Sequence, residues 1–255
     1  MQRVKTPPPP KNDEPEEVIG AQMSLLEHIE ELRDRLVKAA LALLVGTVIG
    51  FLFADKVMVF LQAPYGQRFQ VLGPTEAVVE FFRVALMLGG ILAIPMITYQ
   101  LMMFILPGLT SKEKRFIVMS LPAVFGLFLL GVVFAWFILI PPALDFLQNF
   151  QSDIFVSEWT AELYLGFVTT LIFWMGVAFQ TPLVFFVISL LGFVTPGALI
   201  RNWRFAVVGA AGAAAIITPT VDPVNMFLVM APLMTLYGVS IILVAIGSRM
   251  NPASN

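Results

Sequence analysis

A chain of 255 residues that is 58% hydrophobic, holds 23 Phe and is only 13% charged has too little polar surface to cover a soluble core, so it reads as an integral membrane protein. The absence of cysteine excludes disulfides, thiolate metal sites and Cys nucleophiles, and a single histidine, His28, excludes His-pair zinc motifs. A formal net charge of -2 gives no basic footprint for nucleic acid, and no cofactor motif is present.

Residues 1–22 contain "TPPPPKNDEPEE", rich in Pro and charge, and are expected to be a disordered tail. The first hydrophobic run lies beyond a long charged stretch without a small-residue cleavage site, so it does not read as a removable signal peptide. Ser24 and Glu27 in "SLLE" have capping-box spacing and predict a helix start. In the "HIEELRDRL" that follows, Leu25, Ile29, Leu32 and Leu36 recur at helical spacing as one apolar stripe. This helix is expected to lie along the cytoplasmic interface before the first span. Glu31 and Arg35 form an i, i+4 pair, worth a few tenths of a kcal/mol, on what reads as a solvated face. Against that reading, Glu27 with Glu31 and Glu30 with Asp34 are like-charged i, i+4 neighbours. Such an acidic spot is suited to receive a cation.

Uncharged tracts at 39–54, 84–111, 116–144, 163–200, 205–221 and 223–248 predict six transmembrane helices, with "GFVTPG" at 192–197 ending the fourth. "TPTVDP" at 218–223 cuts the fifth to roughly 13 helical residues, about 20 Å against a hydrocarbon core of about 30 Å. A short true span is favoured over a re-entrant loop. Pro95, Pro122, Pro182 and Pro232 fall inside spans, where kinks suit a curved wall better than a symmetric bundle. Arg3, Lys5, Lys11, Arg33, Arg35, Lys38, Lys112, Lys114, Arg115, Arg201, Arg204 and Arg249 fall on one side, leaving Lys56, Arg68 and Arg83 on the other. The positive-inside rule then places both termini in the cytoplasm. The domain division is a tail at 1–22, a six-helix membrane domain at 23–249 and a short tail at 250–255.

In "LTSKEKRF", Thr110 and Glu113 fit a helix cap. Paired with Glu31 at the same membrane rim, Glu113 also suits bidentate capture of guanidinium groups, which selects Arg over Lys. Gln180 lies mid-span in "AFQTP", either as an interhelical hydrogen bond or as a functional group in a membrane cavity. Asp222 precedes Pro223 and reads first as a turn or helix cap. No GxxxxGK[ST], GxSxG or HExxH motif is present, so no catalytic constellation is expected. Two other classes remain open on composition: a secondary transporter for a small solute, and an intramembrane hydrolase built around Asp222.

"HIEELRDRL", "GPTEA" (73–77), "IP" (94–95), "YQ" (99–100), "FILPGLTSKEKR" (104–115), "FQTP" (179–182) and "TPTVDP" resemble, in this order, the TatC family. That family is the multispanning receptor subunit of the twin-arginine protein translocase. The resemblance implies a cup-like, all-α bundle of six transmembrane helices in the cell inner membrane. It implies binding of twin-arginine signal peptides and proton-motive-force-driven export of folded proteins. Single-span TatA/TatB-type subunits, the lipid bilayer and further copies of the chain are the implied partners. The family's arginine-recognising glutamates fall on Glu31 and Glu113, with Arg33, Arg35, Phe104 and Arg115 as neighbouring recognition positions. Pro64, Glu76 and Asp222 fall to the outer loops and partner assembly. Two departures stand out: Gln180 where the family often has Glu, and Val78 where it usually has Phe.

Overall fold

A computed structural model describes residues 25–105, 111–154, 157–190, 192–219 and 222–250; the side chains of Leu25, Ile105, 111–118, Ser120 and Met250 are not described. The proposed tail at 1–22, the cap of Ser24 and the cap of Thr110 lie outside the described residues. The helices are α1 (Leu25–Gln62), α2 (Glu76–Ile105), α3 (Ser111–Phe134), α4 (Ile140–Asn149), α5 (Ala161–Ala178), α6 (Thr181–Leu190), α7 (Pro196–Arg201), α8 (Trp203–Ile217) and α9 (Pro223–Met250). One π-helical turn, Ala135–Leu139, joins α3 to α4.

Among the described residues, five helical rods are long and apolar enough to cross a membrane: α1, α2, α3 through α4, α5 through α6, and α9. The short α8 is the sixth apolar segment. Its 15 residues span about 22 Å at ~1.5 Å per residue, as the position of "TPTVDP" predicts.

The charged N-terminal stretch is not a separate interfacial helix. It is the first third of α1, which runs 38 residues without a break. No Pro or Gly separates Arg33 from Ala39, and Leu, Arg, Lys and Ala all propagate a helix. The apolar stripe also points the opposite way from a soluble amphipathic helix. Of the stripe, Ile29, Leu32 and Leu36 are exposed, whereas Glu31 and Arg35 are turned inward.

Pro95, Pro122 and Pro232 sit inside continuous helices, but Pro182 follows a real break at Phe179–Gln180 between α5 and α6. Pro141 and Pro142 explain the π turn, because neither has an N–H to return to the preceding turn. The Ile140 N–H instead reaches Ala135 O, five residues back.

α1 and α2 pack antiparallel, and the crossing is close because it is built on small residues. A Cβ on Gly46 would meet Gly89 O at 2.6 Å, and one on Gly50 would meet Ala85 O at 2.4 Å. The largest core cluster centres on Tyr164, Leu165, Val168, Leu171 and Met175 of α5, against α2 and the π turn.

Candidate functional site

At the end of the bundle where α1 begins, the helical period brings Glu31 and Arg35 onto the face toward α2. Arg35 donates from Nε to Glu31 Oε1 at 2.9 Å, and its Nη2 bonds the same oxygen. Its third nitrogen, Nη1, crosses to Oε1 of Gln100 on α2 at 3.4 Å. Gln100 is buried, and its amide turns back onto Met96 Sδ at 3.7 Å. Glu31 Oε2 is buried and accepts no hydrogen bond among the described residues; His28 Nδ1 stands 4.0 Å away. The His28 ring stacks on Phe104 with centroids 4.5 Å apart and planes at 13°.

The result is a carboxylate with one oxygen held by an arginine and the other open to a further donor. An apolar groove of about 140 Å³, walled by Leu36, Ala39, Ile97 and Leu101, starts beside Arg35, Gln100 and Phe104.

Arg33 does not join this cluster. It pairs with Asp34 on the exposed side of α1, with Nη2 3.0 Å from Oδ1. Glu113 and Arg115 fall in the first turns of α3, whose backbone starts at Ser111, but their side chains lie outside the described residues.

At the opposite end, Glu76 opens α2 and acts as an acceptor hub. Its Oε2 takes the N–H groups of Leu72 at 2.8 Å and Gly73 at 3.4 Å, and its Oε1 takes that of Glu162 at 3.1 Å. One side chain thus ties the 63–75 loop to the first turn of α5. The same two segments meet in a parallel bridge, with Ala161 N donating to Gln70 O at 3.0 Å. Tyr65 adds a stitch by accepting from Trp159 N at 3.1 Å. Pro64 is exposed in the turn that leaves α1, next to these contacts.

Gln180 is buried at the α5–α6 break and donates to Val124 O of α3 at 2.7 Å, the interhelical bond that was one of its two sequence readings. Its Oε1 accepts nothing among the described residues. Asp222 caps α9: Oδ1 accepts from Asn225 N at 2.7 Å and Oδ2 from Asn225 Nδ2 at 2.9 Å.

Three features escape the sequence reading. Gln100 is the link between α1 and α2, and its signal is a lone amide one turn before Phe104. His28 stacks on Phe104 and stands beside Glu31. Glu80 is fully buried and ion-paired to Arg83 inside α2, where counting from the last charge had begun the span at Val84.

Comparison with known proteins gives the family and the fold. Residues 27–232 match the family model described as Sec-independent protein translocase protein (TatC). The chain is 40% identical over 228 residues to an uncharacterized tatC-like protein ycf43 of Gracilaria tenuistipitata var. liui, covering 89% of this chain and 96% of the other. It is 36% identical to the Sec-independent protein translocase protein TatC of Synechocystis sp., covering 92% and 91%. Among solved structures, the crystal structure of the twin arginine translocase receptor TatC superposes with a TM-score of 0.78 at 36% identity, covering 88% of this chain and all of that one. The all-α, six-helix, cup-like membrane bundle expected from the sequence is therefore the fold this chain has. The chain belongs to the TatC family of Sec-independent protein translocase proteins.

Proposed function

We propose that this chain is the signal-peptide receptor and core subunit of a twin-arginine translocase, and that Glu31 and Glu113 take the two guanidinium groups of the targeting motif. The observation that carries the reading is the half-occupied carboxylate of Glu31. Arg35 holds Oε1 and sets the rotamer, while Oε2 has no hydrogen-bond donor among the described residues and stands 4.0 Å from His28 Nδ1. A guanidinium offers the planar pair of donors that such an oxygen and a second carboxylate can share, and an ammonium does not. Arg35 and Arg115 flank the site while Arg33 stands on the exposed side of α1, and the groove behind Phe104 accepts the apolar segment that follows the arginines, toward Gln180.

Both termini are placed in the cytoplasm by the distribution of Lys and Arg, with residues 1–22 and 250–255 as tails to the membrane domain at 23–249. The membrane is the inner membrane of a bacterial cell. TatA/TatB-type single-span subunits and further copies of the chain assemble around it, with Pro64, Glu76 and Asp222 on the outer side. The role is one of recognition and recruitment, not catalysis.

The test is binding of a twin-arginine peptide, against its twin-lysine version, to detergent-purified protein, to Glu31→Gln and to Glu113→Gln. A charge-assisted hydrogen bond of about 1.5–3 kcal/mol predicts a roughly 10- to 150-fold loss of affinity for each variant. Equal affinity for both peptides in the unmodified protein would overturn the reading.

A further inference from the structure

The sequence "TEAVVEFFRVA" places Glu80 one helical turn beyond Glu76 and Arg83 three residues further on. Glu80 is fully buried, and Arg83 is partly exposed. Arg83 Nη1 lies 2.7 Å from Glu80 Oε1 and 2.9 Å from Oε2. The same nitrogen donates to the carbonyl of Glu162, in the first turn of α5, at 3.3 Å. Gly166 leaves room for this seat on α5: a Cβ there would stand 3.0 Å from Nη1. Arg83 is therefore a bridge from α2 to α5, and Glu80 is the charge that keeps its guanidinium in place.

Glu80 also forms part of the wall of an open cavity of about 490 Å³, shared with Thr75, Glu76, Thr160 and Glu162. The charged groups acting on it are Arg83 and Glu76 of α2 and Glu162 of α5. On α1, packed along the other side of α2, the charges near that end, Asp55 and Lys56, are exposed. A buried ion pair in a membrane segment is costly to keep for stability alone, since an apolar pair of the same volume holds a bundle as well or better.

We propose that Glu80 and Arg83 form a proton-released latch between α2 and α5, opened by protons entering through the cavity between Glu76 and Glu162. Hydronium in the cavity transfers a proton to a Glu80 carboxylate oxygen, forming an O–H bond and leaving water. The ion pair is then lost. Arg83 keeps its charge, leaves its seat at the Glu162 carbonyl and turns into the cavity toward the carboxylates of Glu76 and Glu162. The start of α5 is then held to α2 only by the Glu76–Glu162 hydrogen bond at this point, and the two helices move apart. With the orientation proposed above, the cavity opens on the side from which the proton gradient delivers protons. The latch itself does not depend on the peptide-binding reading.

The chain has no cysteine, so a pair introduced at the exposed positions Val79 and Leu163 reports α2–α5 separation by spin-label distances in the full-length protein. The distribution is recorded from about pH 8 to about pH 4, a range that spans carboxylate titration. The expected result is a single transition in the parent. Glu80→Gln should show the low-pH distribution at every pH. Glu80→Gln combined with Arg83→Gln removes both charges, so it decides the question if the single variant does not fold; it too should lack the transition. Glu76→Gln should retain it, although Glu76 also joins α2 to α5. A parent distribution that does not change with pH, a transition that survives in the double variant, or one that vanishes in Glu76→Gln would each overturn the latch.

Discussion

Substituting Gly89 by Ala tests the α1–α2 crossing on which the recognition end depends. The added Cβ would lie 2.4 Å from Thr47 Oγ1, 2.5 Å from Thr47 N and 2.6 Å from Thr47 Cα. Two of these are backbone atoms, so no rotamer change relieves the clash. Ordinary contact begins at 3.4 Å, and α1 must withdraw from α2 by about 1 Å. Overpacking of this kind costs about 1–3 kcal/mol, or a Tm lowered by roughly 2–12 °C in a chain of this size. The withdrawal also opens the Arg35–Gln100 hydrogen bond, which is already 3.4 Å long. Gly50→Ala, facing Ala85 O at 2.4 Å, should behave alike. Gly126→Ala is the control, because nothing in the structure lies within 4 Å of its Cβ, and helix propensity alone favours Ala. Thermal unfolding of the three variants in one detergent gives the comparison. Equal melting of Gly89→Ala and Gly126→Ala would refute the close crossing.

Three other outcomes follow from the same geometry. Glu76→Ala removes the acceptor of three backbone N–H groups and should loosen the outer loop; hydrogen exchange should speed up at Leu72, Gly73 and Glu162 and not across α9. Asp222→Ala should destabilise by about 1 kcal/mol through loss of the α9 cap, and Asp222→Asn by less, because an amide oxygen still accepts from Asn225 N; chemical unfolding separates the two. Inserting one turn of Leu and Ala into α8 would bring it near the thickness of the hydrocarbon core. If its shortness thins the bilayer beside a recruited partner, transport of a twin-arginine substrate into vesicles should fall while peptide binding is kept, and unchanged transport would sink that role.

The short α8 was legible because "TPTVDP" is a strong stop, and α1, α2 and α9 were legible because length and hydropathy suffice in lipid. The partial burial of Glu31 and Arg35 was not. Their i, i+4 spacing reads as a solvated ion pair, whereas the two side chains turn inward and reach Gln100 on α2. Glu80 was missed for a related reason. Starting a span after the last charge assumes that charge marks water, whereas Glu80 and Arg83 neutralise each other inside the helix. The prolines differ by context rather than by kind. Pro95, Pro122 and Pro232 stay within helices, whereas Pro182 follows the break at Gln180, and the adjacent pair Pro141–Pro142 is absorbed by a π turn. Such distinctions depend on what neighbouring helices supply to the freed carbonyls, which one sequence does not display.

The most direct test of the recognition site is a double-mutant cycle between the protein and the peptide. Binding of arginine-arginine, lysine-arginine and arginine-lysine peptides is measured to the parent, to Glu31→Gln and to Glu113→Gln. Coupling of about 1 kcal/mol or more between Glu31 and one of the two arginines, and between Glu113 and the other, is the predicted result. Additive losses, with no coupling for either glutamate, would contradict the capture of the two guanidinium groups at this rim.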